Sequence, residues 1–376
     1  MSFFETLDQP FSALIVFILG MLTISYLCKT FKLNLYIALL IYFYHTIYAF
    51  LYAKMTIHIN GGDSLVYYLR AIEDEVSFGL GTKFVISFVD LLYTSFNLSY
   101  FGVFLVFNIF GSIGLLAFYA SLKDLTRDYY SKLTMLIVLL PSINFWTVSI
   151  GKDSLTFMGI CLIMWGFLNN KNFLFYISLI IIFCVRPHIS GFFLISYVVY
   201  ILLVSNFKIY YKGLMFVFFS SMSFFAIKFI LDYIGLGNLQ NLTQLIEYIE
   251  LRQSYNQDGG GGIDISNMTL FEQVYTYLFR PLPYEVHSFG SLLASFDNFF
   301  LLFFFIIVLF KLIIKRIKIK NYFFVFYILI SLIFLSSTTS NLGISVRQKW
   351  MVMPFLLYIG FYILIQYKIL TRKMYA

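Results

Sequence analysis

YFGVFLVFNIFGSIGLLAFYAS, residues 100–121, carries no charged side chain. Wound as an α-helix at 1.5 Å per residue it is about 33 Å long, enough to cross a hydrocarbon core of about 30 Å. Working outward from it, further apolar runs fall near 10–28, 33–53, 133–150, 154–168, 173–187, 189–205, 214–234, 292–313, 322–337 and 351–367. The chain of 376 residues is 61% hydrophobic and only 12% charged. A soluble domain carries about 25% charged residues. The expected fold is therefore all-α: a polytopic transmembrane helix bundle of about eleven spans, forming one integral membrane domain over residues 1–376. Several runs are short, and the pairs meeting near 150 and 187 read as helical hairpins whose tips stay below the surface.

Composition also narrows the chemistry. Cys28, Cys161 and Cys184 lie in or beside apolar runs with no metal-ligand spacing, so neither a metal nor a disulfide framework is expected. The net charge of +8 sits mostly in short connections between spans, which argues against a nucleic-acid partner. Glu5 and Asp8 stand where a signal peptide has its basic segment, so the first run reads as a permanent span. The 47 Phe and 30 Tyr residues read as lipid-facing bulk and interfacial belts.

Lysine and arginine set the expected orientation. Alternate connections carry Lys29 and Lys32; Lys123, Arg127 and Lys132; Lys171; Lys208 and Lys212; Lys311, Lys315, Arg316, Lys318 and Lys320; and Lys368, Arg372 and Lys373. That side is expected to be cytoplasmic, with the N-terminus outside and the C-terminus inside. The two longest connections, about 54–99 and 235–291, then fall outside. Leu65, Leu69, Ile72 and Val76 repeat at helical spacing and predict an interfacial amphipathic helix. A second is predicted over 239–255, and 84–96 reads as an interfacial or re-entrant piece. Residues 259–262, all glycine, read as a hinge without the frame of a phosphate-binding loop.

Against this apolar background several charges stand out, since one ionisable group at membrane depth costs about 2.5–3.5 kcal/mol even on insertion scales. All fall at the outer side. Lys152 and Asp153 follow Gly151: either a turn capped by Asp153 with a snorkelling lysine, or a phosphate site at a helix start. Arg186 precedes Pro187 and His188: the arginine either satisfies carbonyls freed by the proline or forks a phosphate, with His188 as proton acceptor or hydrogen-bond donor. Arg280 and Glu285 either pair across two prolines or act separately on diphosphate and sugar. Arg347 and Lys349 open the last span beside Trp350, binding lipid headgroups or substrate. Asp63 is either a helix cap or a general base or sugar-binding carboxylate. His45 reads as a helix-to-helix hydrogen bond, His58 and His287 as loop residues without clear partners, and Lys228 as a partner for Asp232 one turn on.

The stretches 145–153, 186–188, 280–285 and 341–349, with the length and the outward arginines, resemble bacterial O-antigen and capsule repeat-unit polymerases (Wzy type). The resemblance implies a membrane glycosyltransferase in the bacterial inner membrane. It would join repeat units carried on undecaprenyl diphosphate at the periplasmic face, with membrane lipid and a chain-length regulator protein as partners and no cofactor. Lys152, Arg186, Arg280, Arg347 and Lys349 would hold the diphosphate, and Asp63, His188 or Glu285 would orient or deprotonate the acceptor hydroxyl. The alternatives are a lipid-linked sugar flippase or other transporter, and a ligase or acyltransferase of polysaccharide assembly.

Overall fold

The computed structural model describes residues 3–4, 6, 8–73, 77–127, 129–204, 208–214, 216–217, 251, 261–286 and 288–375. Among these residues the regular structure is helical, with one isolated bridge between Gly262 and Asn341. Among the described residues six helices are long and apolar enough to cross a membrane, and Ser131–Trp146, Asn172–Val185 and Tyr322–Thr338 are shorter apolar segments. The chain is a multi-pass helical membrane protein. The run expected at 214–234 with its Lys228–Asp232 pair, the amphipathic helix expected over 239–255, Val76 and His287 lie outside the described residues. Backbone contacts divide the chain into two units, Met1–Pro187 and His188–Ala376.

The first unit contains α1 (Gln9–Thr30), α2 (Leu35–Ile59), α3 (Asp63–Ile72), α4 (Thr82–Phe96), α5 (Tyr100–Thr126), α6 (Ser131–Val138), α7 (Pro141–Trp146), α8 (Lys152–Leu168) and α9 (Asn172–Val185). The uncharged α5 is central and packs on α1, α2, α4, α6 and α8. Small residues let its neighbours approach. A Cβ on Gly114 would lie 2.7 Å from Phe157 and 3.0 Å from the Met158 Cα of α8. Some polar side chains inside the bundle are satisfied across helices. His45 Nδ1 meets Ser112 Oγ at 3.1 Å and its Nε2 meets Thr147 Oγ1 at 2.9 Å.

The run expected to cross as one helix over 133–150 is instead two short helices. Pro141 has no N–H to continue the ladder, so it starts α7 rather than extending α6. The break is patched locally. Asn144 Nδ2 donates to Val138 O and Leu140 O, and Tyr44 OH donates to Leu139 O at 3.0 Å. As a result the Thr147 turn lies deep: its hydroxyl reaches His45, and its carbonyl faces Gly111, about 16 Å along α5 from Tyr100. The turn joining α7 to α8, where sequence predicts a hairpin tip, is thus packed inside the unit.

Opposite ends of this unit differ in charge. Lys123 Nζ donates to Lys32 O at 2.7 Å, and Phe31 packs edge-on to Trp165 at 4.9 Å. These contacts gather the α1–α2 turn and the ends of α5 and α8, with Lys29, Lys32, Lys123 and Arg127. The other end holds the first residues, with the Phe3 ring 5.5 Å from Phe50 and 5.3 Å from Phe101, and Asn97 Nδ2 donating to Asp8. Here α3 and α4 pack together. The stretch 84–96 is thus part of a full helix. The buried face of α3 is Ser64, Leu65, Tyr67, Tyr68 and Ala71 rather than the expected aliphatic stripe, because burying two tyrosine rings rotates the helix.

The second unit contains α10 (Pro187–Val204), which begins at the boundary, α11 (Leu270–Phe279), α12 (Phe289–Lys315), α13 (Tyr322–Thr338), α14 (Leu342–Gln348) and α15 (Met353–Tyr375). Aromatic rings form its core. Phe193 stacks on Tyr327 at 3.8 Å and meets Phe355 at 5.6 Å, while Phe304 meets Phe361 at 5.3 Å. Lys311 Nζ lies 5.1 Å over the Tyr367 ring, which places the ends of α12 and α15 together. Toward the opposite end, residues 342–351 run back into the bundle. Tyr327, only five residues into α13, donates its hydroxyl to Met351 O at 2.9 Å.

Candidate functional site

In the first unit, four segments distant in sequence converge above the recessed turn. Gly62 occupies the cap position of α3 with φ 100°, so Asp63 is the first helical residue and not the cap. Similarly Gly151 occupies the cap position of α8, which begins at Lys152, so Asp153 is the second helical residue and not the cap. Gly62 adopts a left-handed φ that a larger residue resists. Ser64 Oγ donates to Ile150 O at 3.0 Å, tying α3 to this turn. Gly81 N donates to Cys184 O at 2.8 Å, tying the start of α4 to the end of α9.

Pro187 ends α9, and Arg186 before it takes an extended backbone, φ −143° and ψ 80°, as the residue preceding proline prefers. This turns its guanidinium to Asp153, with Nη2 donating to Oδ1. The two side chains are only 11% and 12% exposed. Arg186 Nε is also buried and has no hydrogen-bond partner among the described residues. Lys152 Nζ donates to Thr82 Oγ1 at 3.2 Å.

Tyr67, one turn after Asp63, joins these groups. Its ring is 8% exposed and faces Gly151. Burial pushes the phenol above its ordinary pKa, and the Asp63 charge adds to this; Thr82 hydrogen-bonds it, and Asp153 and Arg186 act on it with opposite sign. Asp63 itself is exposed. Asp63, Lys152 and Arg186 were singled out by sequence. Tyr67, Thr82 and the pairing of Asp153 with Arg186 were not, although the i, i+4 spacing of Asp63 and Tyr67 is a readable signal.

The second unit holds the remaining expected residues. Arg280 donates to Glu285 through Nη2 and, at 2.8 Å, through Nε, and Leu282 N donates to the other carboxylate oxygen at 2.7 Å. Of the two readings open from sequence, the pair is the one formed. Burial works to raise the Glu285 pKa, but the hydrogen bonds from Arg280 and Leu282 outweigh it and hold the carboxyl below its ordinary value. Such a carboxylate stabilises the fold fully above about pH 4.5, its unfolded value, and that contribution is lost as pH falls through the lower folded value. In thermal unfolding of the full chain, wild type should exceed Glu285→Gln at pH 7, and the gap should close on acidification below about 4.5. A gap independent of pH would show that the carboxylate charge contributes nothing.

Lys349 is completely buried rather than displayed beside the last span. Its Nζ donates to Asn298 Oδ1, next to Asp297, and both of these α12 residues are completely buried too. Arg347 is half-buried in the last turn of α14. His188 is half-buried in the first turn of α10, its ring 6.1 Å from Phe192. Among the described residues no group of three or more His, Cys, Asp or Glu side chains is arranged to hold a metal ion. No family model, curated protein or solved structure matches the chain.

Proposed function

We propose that the chain is a membrane glycosyltransferase that extends a glycan carried on a polyprenyl diphosphate, the repeat-unit polymerase expected from sequence. The observation that carries this reading is the convergence of Asp63, Tyr67, Lys152, Asp153 and Arg186 at one end of the first unit. An amphiphilic substrate with an anionic head at the membrane surface suits cations held just below an amphipathic helix pair.

The acceptor hydroxyl oxygen forms a bond to the anomeric carbon of the growing chain. The bond from that carbon to the diphosphate breaks, and its electron pair leaves on the phosphate oxygen. Negative charge grows on the leaving group in the transition state, so fixed donors there accelerate the step. Lys152 and the buried Nε of Arg186 supply them. Asp63, exposed at the same end, takes the acceptor proton. Glu285 is less suited to that role because Arg280 and Leu282 already occupy its oxygens. By the charge rule the Lys29, Lys32 and Lys123 end faces the cytoplasm, and the substrate end and the N-terminus lie outside. The same rule, applied to Lys368 and Arg372 near the end of α15, supports a C-terminus inside.

Surface glycan from a strain deleted for this chain tests the reading. Single-unit product that regains long chains on complementation is the expected result. Total loss of surface glycan points instead to translocation, and intact long chains would end the proposal.

A further inference from the structure

A buried lysine in a membrane bundle invites a functional explanation, because lipid makes it expensive to keep. Lys349 sits in the re-entrant stretch 342–351 and contacts no open surface. Its ammonium fixes the oxygen of the Asn298 side chain. The other edge of the same amide is thereby aimed at the loop before α12, where Asn298 Nδ2 donates to Pro281 O at 3.0 Å. Pro281 lies between Arg280 and Leu282, which both bond Glu285. Asn298 is nine residues along α12, about 13 Å from its start, so the loop is pulled well into the bundle.

We infer that Lys349 is a positioning residue: through the Asn298 amide and the Pro281 carbonyl, it holds the Arg280–Glu285 turn at its working depth. The link has a direction. An amide has one acceptor and one donor edge, and the ammonium accepts nothing, so only one amide orientation satisfies both neighbours. Losing the ammonium allows the amide to flip, and the Pro281 carbonyl then loses its donor. Its importance for glycan extension rests on the function proposed above, whereas its effect on the turn does not.

Tyr284 is 81% exposed at the tip of this turn and accepts a nitroxide label when replaced by Cys. Cys184 is changed to Ser, while Cys28 and Cys161 are buried. The measurement uses the full chain in lipid nanodiscs. Asn298→Asp keeps the size of the residue and an oxygen for Lys349 but removes the donor to Pro281. It should raise the mobile fraction of the label about fivefold, the factor one ordinary hydrogen bond is worth. Lys349→Met should do the same, and combining it with Asn298→Asp should add nothing. An unchanged spectrum in Asn298→Asp overturns the inference, even if Lys349→Met does not fold. Glycan length is read in parallel. A loosened turn with long chains retained also overturns the positioning role. A tightly held turn in a wild-type chain that extends no glycan ends the proposed function alone.

Discussion

Replacing Arg186 by Ala is expected to cost about 3–5 kcal/mol of stability, because it leaves Asp153 as an uncompensated, nearly buried charge. Asp153→Ala should cost a similar amount for the mirror-image reason. Removing both, as Arg186→Met with Asp153→Leu, should recover most of the loss, since an apolar pair of similar volume carries no desolvation penalty. Thermal unfolding of the full chain in detergent reads this cycle. Glycan extension should not follow stability. The apolar pair should fold and extend glycan far more slowly, because the Arg186 donor to the departing diphosphate is gone and Lys152 alone remains. Arg186→Lys keeps a charge opposite Asp153 but lacks the Nε donor, and should lose about 10²–10³-fold in rate, the usual cost of one transition-state donor. Long-chain product at the wild-type rate from the apolar pair would reduce Arg186 to a structural residue.

The sequence made the membrane helices legible because twenty or so uncharged residues have few other uses. The runs ending near 28, 53 and 121 correspond to α1, α2 and α5, displaced by a few residues at their ends. It was less informative where a local choice was settled by distant partners. Pro141 was visible inside the run 133–150, yet the break depended on Asn144 and Tyr44 being placed to satisfy the freed carbonyls. Asp153 looked like a cap because caps are local, but its partner lies 33 residues away. Lys349 was taken as a surface cation since its burial requires Asn298 and Asp297, polar residues embedded in an apolar run. That pair was itself a readable sign, for a carboxylate within a span needs a partner in the bundle. Tyr67 was hidden among thirty tyrosines, most of which read as membrane-belt residues.

Gly111→Ala should be the most damaging single-methyl change in the first unit. The added Cβ would fall inside contact distance of the Thr147 carbonyl oxygen and 2.5 Å from His45 Cε1. Neither neighbour yields easily. The carbonyl belongs to the turn after α7, and the imidazole is held at both nitrogens by Ser112 and Thr147. Overpacking of this kind costs about 1–3 kcal/mol, and the strained His45 contacts add to it. The consequence reaches the site because Thr147 leads directly into Ile150, which accepts from Ser64, and into Gly151 and Lys152. A shift of the turn therefore moves Lys152 and Asp153 relative to Arg186. Thermal unfolding and glycan length should both deteriorate in Gly111→Ala. Gly213→Ala, where an added Cβ meets nothing within 4 Å, should change neither. Normal unfolding and chain length in Gly111→Ala would mean that the turn tolerates displacement, and that the depth of Lys152 is not set by the α5–α7 contact.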